Sequence, residues 1–417
     1  MRLIRSLAPL ALAAALLAAC GGGDPYVPGS SLPSGGPTTP GSFTTIVSFG
    51  DSLSDIGTYT PATAIPGTTP TAYFGGRFTT NLNDLATLAA TGKVWVDDLA
   101  DALSTPTAPI IVTPAEVGFA GQSVACPAAA NPLLAATCTG YSQGGARITD
   151  PNGIGKAQGF LTVPVKTQIA NHLANPTFGG RFRDSDLIFV FAGHNDLLYQ
   201  LGVFAAAVAQ SQAQAQADVL AGLITPAQAE ARVQQEAFAA QTLAQQAMKT
   251  AALELAGYVR NDIVANGGKY VAVLSMVDFT VTPRFAAAPA ETKQVIKGLG
   301  DVFNLWLREG LSGAPVRWID SNAPLYAWIA DPATYGLTNT SAPACDATKI
   351  ATLTGGQVTD GTSLFCNGTT GAPFNTLVDT ADVTSWLFAD TVHPSVKGHQ
   401  LFSAELVRQL RAAHWIN

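Results

Sequence analysis

Residues 43–55 read FTTIVSFGDSLSD. The first seven are mostly apolar or β-branched and give way to Gly50-Asp51, a pair that turns the chain. A continuous apolar run of this length, unlike an alternating one, fits a strand buried on both faces. Ser52 then stands just past a strand's carboxyl end, the edge at which open α/β sheets bind their ligands. Residues 186–192 (DLIFVFA, closed by Gly193), 269–277 (KYVAVLSMV, opened by Gly267-Gly268) and 316–319 (VRWI, followed by Asp320) repeat the pattern. Long connections separate the four runs, which predicts an α/β fold: a parallel sheet covered by helices on both faces.

The longest connection, about 203–265, is rich in Ala and Gln and nearly free of Gly and Pro. Thr225-Pro226 interrupts it, with Thr225 as N-cap, Pro226 in the first turn and Gln228 completing a capping box. A helical hairpin beside the core is expected, as an insertion without a catalytic part; a lid over the substrate is the other reading. Internal repeats are absent, so residues 43–417 read as one domain.

Of 417 residues, 47% are hydrophobic and 12% charged, with a net charge of −7. That balance belongs to a globular chain and not to a disordered one. No basic run occurs, which argues against nucleic acid as a partner. At the N-terminus, Arg2 and Arg5 precede an apolar run from about Leu7 to Ala19, too short to span a bilayer comfortably. Residues 1–19 therefore read as an export signal. Leu17-Ala18-Ala19-Cys20 resembles a bacterial lipobox, which implies that Cys20 is lipidated and begins the mature chain; an ordinary secretion signal is the alternative. Residues 20–42, dominated by Gly, Pro, Ser and Thr, read as a disordered tether. Gly21 after the cysteine implies, by the same resemblance, an outer-membrane lipoprotein.

Four cysteines remain, and an exported chain meets an oxidising compartment. Three pairings are possible; Cys126–Cys138 and Cys345–Cys366 close the shortest loops and are the expected disulfides. There is no Cys-x-x-Cys and no nearby His at ligand spacing, so a zinc site is not expected.

A serine at a sheet edge needs a base, an orienting acid and an oxyanion hole. Near the C-terminus, Asp390-Thr391-Val392-His393 places a carboxylate three residues before an imidazole. One loop can then hold both, the acid on one ring nitrogen and the other nitrogen facing the serine. An amphipathic helix, about 396–413, follows. Gly193-His194-Asn195-Asp196 ends the second strand, where the Asn195 amide can reach the same cleft. Gly144-Gly145 offers a close backbone N–H, and with the Ser52 N–H these make three donors for a developing oxyanion. Asp51, Asp55 and Asp196 are expected to brace their turns. Asp278 is expected to support the site from behind.

These four blocks, GDSLSD, QGGA, GHND and DTVH, resemble those of the GDSL, or SGNH, hydrolases. The resemblance implies a flavodoxin-like three-layer α/β/α sandwich and a serine esterase. It further implies Ser52 as nucleophile, Asp390 and His393 as its triad partners, and Ser52, Gly145 and Asn195 as oxyanion donors. Gly76-Arg77-Phe78-Thr79 with Trp95-Val96-Asp97, and Asp331-Pro332-Ala333-Thr334-Tyr335-Gly336, resemble the phospholipase/lecithinase/hemolysin-like branch. The chain departs from the family in four places, one of them an insertion carrying Cys126 and Cys138 just upstream of the second block. Gly140-Tyr141-Ser142-Gln143 replaces the usual start of the second block, residues are added between Thr80 and Gly92, and His194 stands where a small residue is frequent.

Gly140-Tyr141-Ser142-Gln143-Gly144 also fits G-x-S-x-G, the serine turn of α/β-hydrolases. That turn needs a strand before it and a helix after it; here Ala, Pro and Thr precede it and Asp150-Pro151-Asn152-Gly153 follows. Ser52 is the expected nucleophile. The expected reaction is hydrolysis of a lipid or short-chain acyl ester through an acyl-enzyme, which needs no metal or organic cofactor. The same site would serve a polysaccharide O-acetyl esterase or an acyltransferase. Outside enzymes, a catalytically idle surface lipoprotein is the alternative.

Overall fold

The computed structural model describes residues 32–65, 73, 75–84, 89–90, 92–369 and 375–417. The signal segment 1–19, Cys20 and the first part of the tether lie outside the described residues. So do residues 85–88 and 91 of the addition between Thr80 and Gly92. Four strands, β1 (Thr45–Gly50), β2 (Asp186–Phe191), β3 (Tyr270–Leu274) and β4 (Arg317–Ile319), pair in that order, all parallel. Each coincides with one of the four apolar runs. Residues 139–143 lie along the free edge of β1: the Ser48 N–H donates to the Thr139 carbonyl (3.1 Å) and the Tyr141 N–H to the Ser48 carbonyl (2.9 Å). That segment follows β1 in sequence but sits on the side away from β2. The chain thus reverses its progress across the sheet beside β1, which makes the β1–β2 crevice the switch point where α/β sheets bind ligands.

Alternate residues of each strand feed opposite faces, as the two-residue period demands. Val47, Phe49, Ile188, Val190, Val271 and Val273 enter one core. Helices α2 (Val165–Ala174), α4 (Pro226–Tyr258) and α5 (Ala290–Gly310) cover it. Ile46, Leu187, Phe189, Ala272 and Leu274 enter the other, beneath α1 (Trp95–Leu103), α6 (Asn322–Ala330) and α8 (Val396–Ala412). This is the expected three-layer α/β/α sandwich. A small parallel pair, β5 (Asn339–Pro343) with β6 (Trp386–Phe388), leads into the loop holding Asp390 and His393. Helix α7 (Ala347–Leu353) lies beside it in sequence, between the cysteines of the Cys345–Cys366 disulfide.

Two sequence expectations change. The hairpin does not begin at 203: α3 (His194–Leu220) starts directly from β2, so one helix carries both Asn195 and the first arm. The second arm, α4, opens with the expected capping box, Thr225 accepting from the Gln228 N–H and the Gln228 side chain accepting from the Thr225 N–H. Residues 32–42 of the predicted tether are bound to the body. The Gly313 N–H donates to the Leu32 carbonyl, the Trp415 indole N–H to the Pro37 carbonyl (2.8 Å) and the Gly41 N–H to the Trp415 carbonyl (2.9 Å). A proline-rich segment is already extended and loses little entropy on docking, and its carbonyls satisfy buried donors such as the Trp415 indole.

Candidate active site

The turn after β1 is shaped by Gly50, whose φ is +156°. A Cβ there would stand 2.0 Å from the Phe191 carbonyl oxygen of β2, so only glycine fits. Gln168 of α2 clamps the same residue: its Oε1 accepts the Gly50 N–H (2.9 Å) and its Nε2 donates to the Gly50 carbonyl (2.8 Å). Asp51 follows, fully buried, and caps the turn Ser52–Ser54 by accepting the Leu53 N–H. Its other oxygen accepts from His194 Nδ1 at 2.8 Å. His194 Nε2 accepts the Val277 N–H (3.3 Å), which assigns the ring proton to Nδ1. His194, one of the departures from the family pattern, thus ties β1's turn to the ends of β2 and β3.

Ser52 is left half-exposed, and its Oγ lies 2.8 Å from His393 Nε2. His393 Nδ1 lies 2.7 Å from Asp390 Oδ2. Asp390 is held in place by three backbone N–H groups, of Ser363 (2.8 Å), Val392 (2.9 Å) and His393 (2.8 Å). Burial alone would raise its pKa, but His393 and these donors outweigh burial and keep the carboxyl well below the ordinary range. The Phe78 ring packs on the imidazole with centroids 4.8 Å apart. The Phe78 carbonyl accepts from His399 Nε2 (3.3 Å), a buried ring whose pKa burial pushes down to about 3. Nearby, Arg77 pairs with Asp97 at 2.8 Å, and Asp97 accepts the Val94 N–H that opens α1.

The second and third blocks converge beside this line. Asn195, 5% exposed at the start of α3, donates one amide hydrogen to the Ala146 carbonyl (2.9 Å), and its second carries no bond among the described residues. Of the two glycines, Gly144 donates its N–H to Asp55 Oδ2 (2.8 Å), while the Gly145 N–H has no partner among the described residues. Gly145 has φ +79°, and a Cβ there would meet the Ile154 carbonyl at 2.0 Å. Asp55 also accepts from Gly57 and Thr58, and burial raises its pKa. Asp196 accepts from Arg147 Nε (3.1 Å) and the Ile148 N–H (3.0 Å), its pKa pushed up to about 6 by burial against the opposing pull of Arg147. All three aspartates brace turns. Asp278 caps its own short turn and accepts from Tyr326 Oη (2.7 Å).

Ser142, by contrast, is 1% exposed, and its Oγ has no hydrogen-bond partner among the described residues. No α-helix follows it before α2. Both expected disulfides, Cys126–Cys138 and Cys345–Cys366, are formed. Among the described residues no group of three or more His, Cys, Asp or Glu is placed to hold a metal ion. Gln168 and Ser363 carry no sequence signal: one is a polar residue on an ordinary helix, and the other acts through its backbone.

A serine at the switch point, in line with a histidine and a buried aspartate, is equipped for acyl transfer. A comparison with curated proteins finds no match. The family model of GDSL-like lipase/acylhydrolase matches residues 46–406, from within β1 to within α8. The chain belongs to the GDSL-like lipase/acylhydrolase family and is an ester-hydrolysing enzyme.

Proposed function

We propose that the protein is an exported serine carboxylic ester hydrolase of the carboxylesterase/lipase type, acting on lipid or short-chain acyl esters. Ser52 Oγ attacks the ester carbonyl while His393 Nε2 takes its proton, and buried Asp390 stabilises the imidazolium that forms. The N–H groups of Ser52, Gly145 and Asn195 receive the oxyanion. The protonated His393 then protonates the leaving alcohol, leaving an acyl group on Ser52. Water, deprotonated by His393, attacks that acyl-enzyme and releases the acid and the free serine.

The observation that carries this reading is the continuous hydrogen-bonded line from Ser52 Oγ through His393 to Asp390. Resemblance of the Arg77–Asp97 and Asp331–Gly336 stretches to the phospholipase/lecithinase/hemolysin-like branch favours a lipid ester. Two disulfides favour an extracellular or periplasmic setting, and the lipobox-like residues 17–20 favour an outer-membrane anchor on Cys20. Among the described residues no helix is long and apolar enough to cross a membrane. The test is a panel of p-nitrophenyl esters of rising chain length, run beside a phospholipid and an acetylated glycan. Turnover of acyl esters or phospholipid is expected; turnover confined to the glycan would replace this reading with an O-acetyl esterase.

A further inference from the structure

The hairpin ends in a tip for which acyl transfer has no use. Residues 219–224 read VLAGLI, and Leu220 and Leu223 are 71% and 72% exposed. Along α4, residues from Ala244 to Ala256 enter the core, whereas Val233 and Ala237, with Ala215 of α3, are buried outside every core cluster. On α3 the last side chain packed on that core is Leu201. The two arms therefore leave the body together, and at 1.5 Å per residue the tip stands roughly 25–30 Å beyond it. Its direction follows from the topology. Helix α3 departs from the carboxyl end of β2, and α4 must return to the amino end of β3. The overhang thus lies on the sheet edge that carries Ser52.

The tip is ordered before it meets anything. Gly222 takes φ +70°, the Leu223 N–H returns to the Asp218 carbonyl (2.9 Å), and Arg232 pairs with Asp218 at 2.6 Å across the arms. What it suits can be read from size and charge. Six residues on a convex end fall far short of the roughly 20–30 residues a side of a stable protein interface. Between residues 203 and 243 the charges are Asp218, Glu230 and Glu236 against Arg232 alone, so nothing there attracts an anionic surface. Exposed leucines on a rigid, nearly uncharged end match the apolar boundary of a lipid layer.

We propose that this tip is a lipid-docking wedge: Leu220 and Leu223 enter an uncharged or zwitterionic lipid surface and hold the catalytic edge against aggregated ester. The proposal rests on the esterase reading for its substrate, but not for its binding step. Residues 32–42 dock at the opposite edge of the sheet, so Leu32 and the wedge lie at opposite ends of the body.

The test uses the full-length chain with Cys20→Ser, so that no acyl anchor is attached. An NBD fluorophore is placed on Ala221→Cys at the tip or on Gln210→Cys midway along α3. With phosphatidylcholine vesicles, the tip label should shift to the blue and be quenched by spin-labelled lipid, and the mid-arm label should stay unchanged. Leu220→Asp with Leu223→Asp should weaken vesicle co-sedimentation at least tenfold and leave turnover of a water-soluble acetate ester within twofold. A silent tip label, an equal response at both positions, or unchanged co-sedimentation would overturn the wedge. So would binding confined to phosphatidylglycerol vesicles and lost in salt. Absence of turnover in every version would sink the esterase reading alone, because the label and sedimentation results do not depend on it.

Discussion

Ser52 is displayed by backbone, and its neighbours fix that backbone more tightly than they touch the serine. Gly50 has no room for a Cβ against Phe191, Gln168 holds both polar groups of its peptide unit, and Asp51 is tied to His194. The reacting groups thus rest on preset geometry and pay no reorganisation at the moment of attack. In the proposed hole, Asn195 is the side-chain donor, fastened by its other hydrogen to the Ala146 carbonyl. Asn195→Ala should therefore lower kcat by about 10²–10³ with little change in KM, read in steady-state kinetics on a short-chain ester. An equal loss in KM alone would assign Asn195 to substrate binding. Ser142→Ala, at a buried hydroxyl remote from any histidine bond, should leave kcat near that of the unaltered enzyme.

At the scale of elements, the loops around the proposed triad are stapled unequally. Cys366 ends the turn Ser363–Phe365, whose Ser363 N–H holds Asp390, and Cys345 donates its N–H to the Ala389 carbonyl (2.8 Å), one residue before that aspartate. The Cys126–Cys138 bridge pins the outer loop beyond the edge of β1. Removing either bridge by paired Cys→Ala changes should cost about 2–5 kcal/mol of stability. Only loss of Cys345–Cys366 should also depress kcat measured well below the melting temperature; equal kcat effects would refute the difference. Acid acts on the helices. Burial lowers His172, of α2, to about 4 and His399, of α8, to about 3, so the fold keeps both neutral while the unfolded chain protonates near 6.5. Their contribution is complete above pH 6.5 and is lost as pH falls, by about 2 kcal/mol each at pH 5. Asp98 and Asp196, raised to about 6 by burial, work in the opposite sense, because the fold favours their protonated forms. The histidine effect is therefore read as a difference. His172→Phe should gain about 2 kcal/mol on the parent between pH 7.5 and pH 5.0 in urea titrations. A constant gap would remove His172 from the account.

At the scale of the molecule, the sheet was legible because β1, β2 and β3, buried on both faces, leave apolar runs, and the shorter run with Arg317 became the partly buried edge strand β4. The hydrogen-bonded line of Ser52, His393 and Asp390 was legible because its members sit in short loops: Asp390 and His393 are three residues apart, and Ser52 closely follows a strand. What escaped the sequence was set by tertiary contact. The start of α3 at His194 was hidden because its first turn, residues 194–197, is buried and carries polar residues held by tertiary contacts. Gln168 works through the peptide unit of a residue 118 positions away. Residues 32–42 carry a linker's composition, yet they supply acceptors that only the folded body demands. The proposed membrane location rests on the lipobox-like residues 17–20. Cys20→Ser should release the protein from the membrane fraction and abolish incorporation of labelled palmitate; continued incorporation would move the anchor elsewhere.

In the proposed mechanism one hydroxyl, that of Ser52, is made nucleophilic by His393 and Asp390. A fluorophosphonate probe reacts with such a serine, and peptide mass mapping identifies the residue that carries it. The adduct should sit on Ser52 in the unaltered enzyme and vanish in His393→Ala, although Ser52 is still present there. An adduct on Ser142, or labelling of Ser52 that His393→Ala leaves undiminished, would contradict the account.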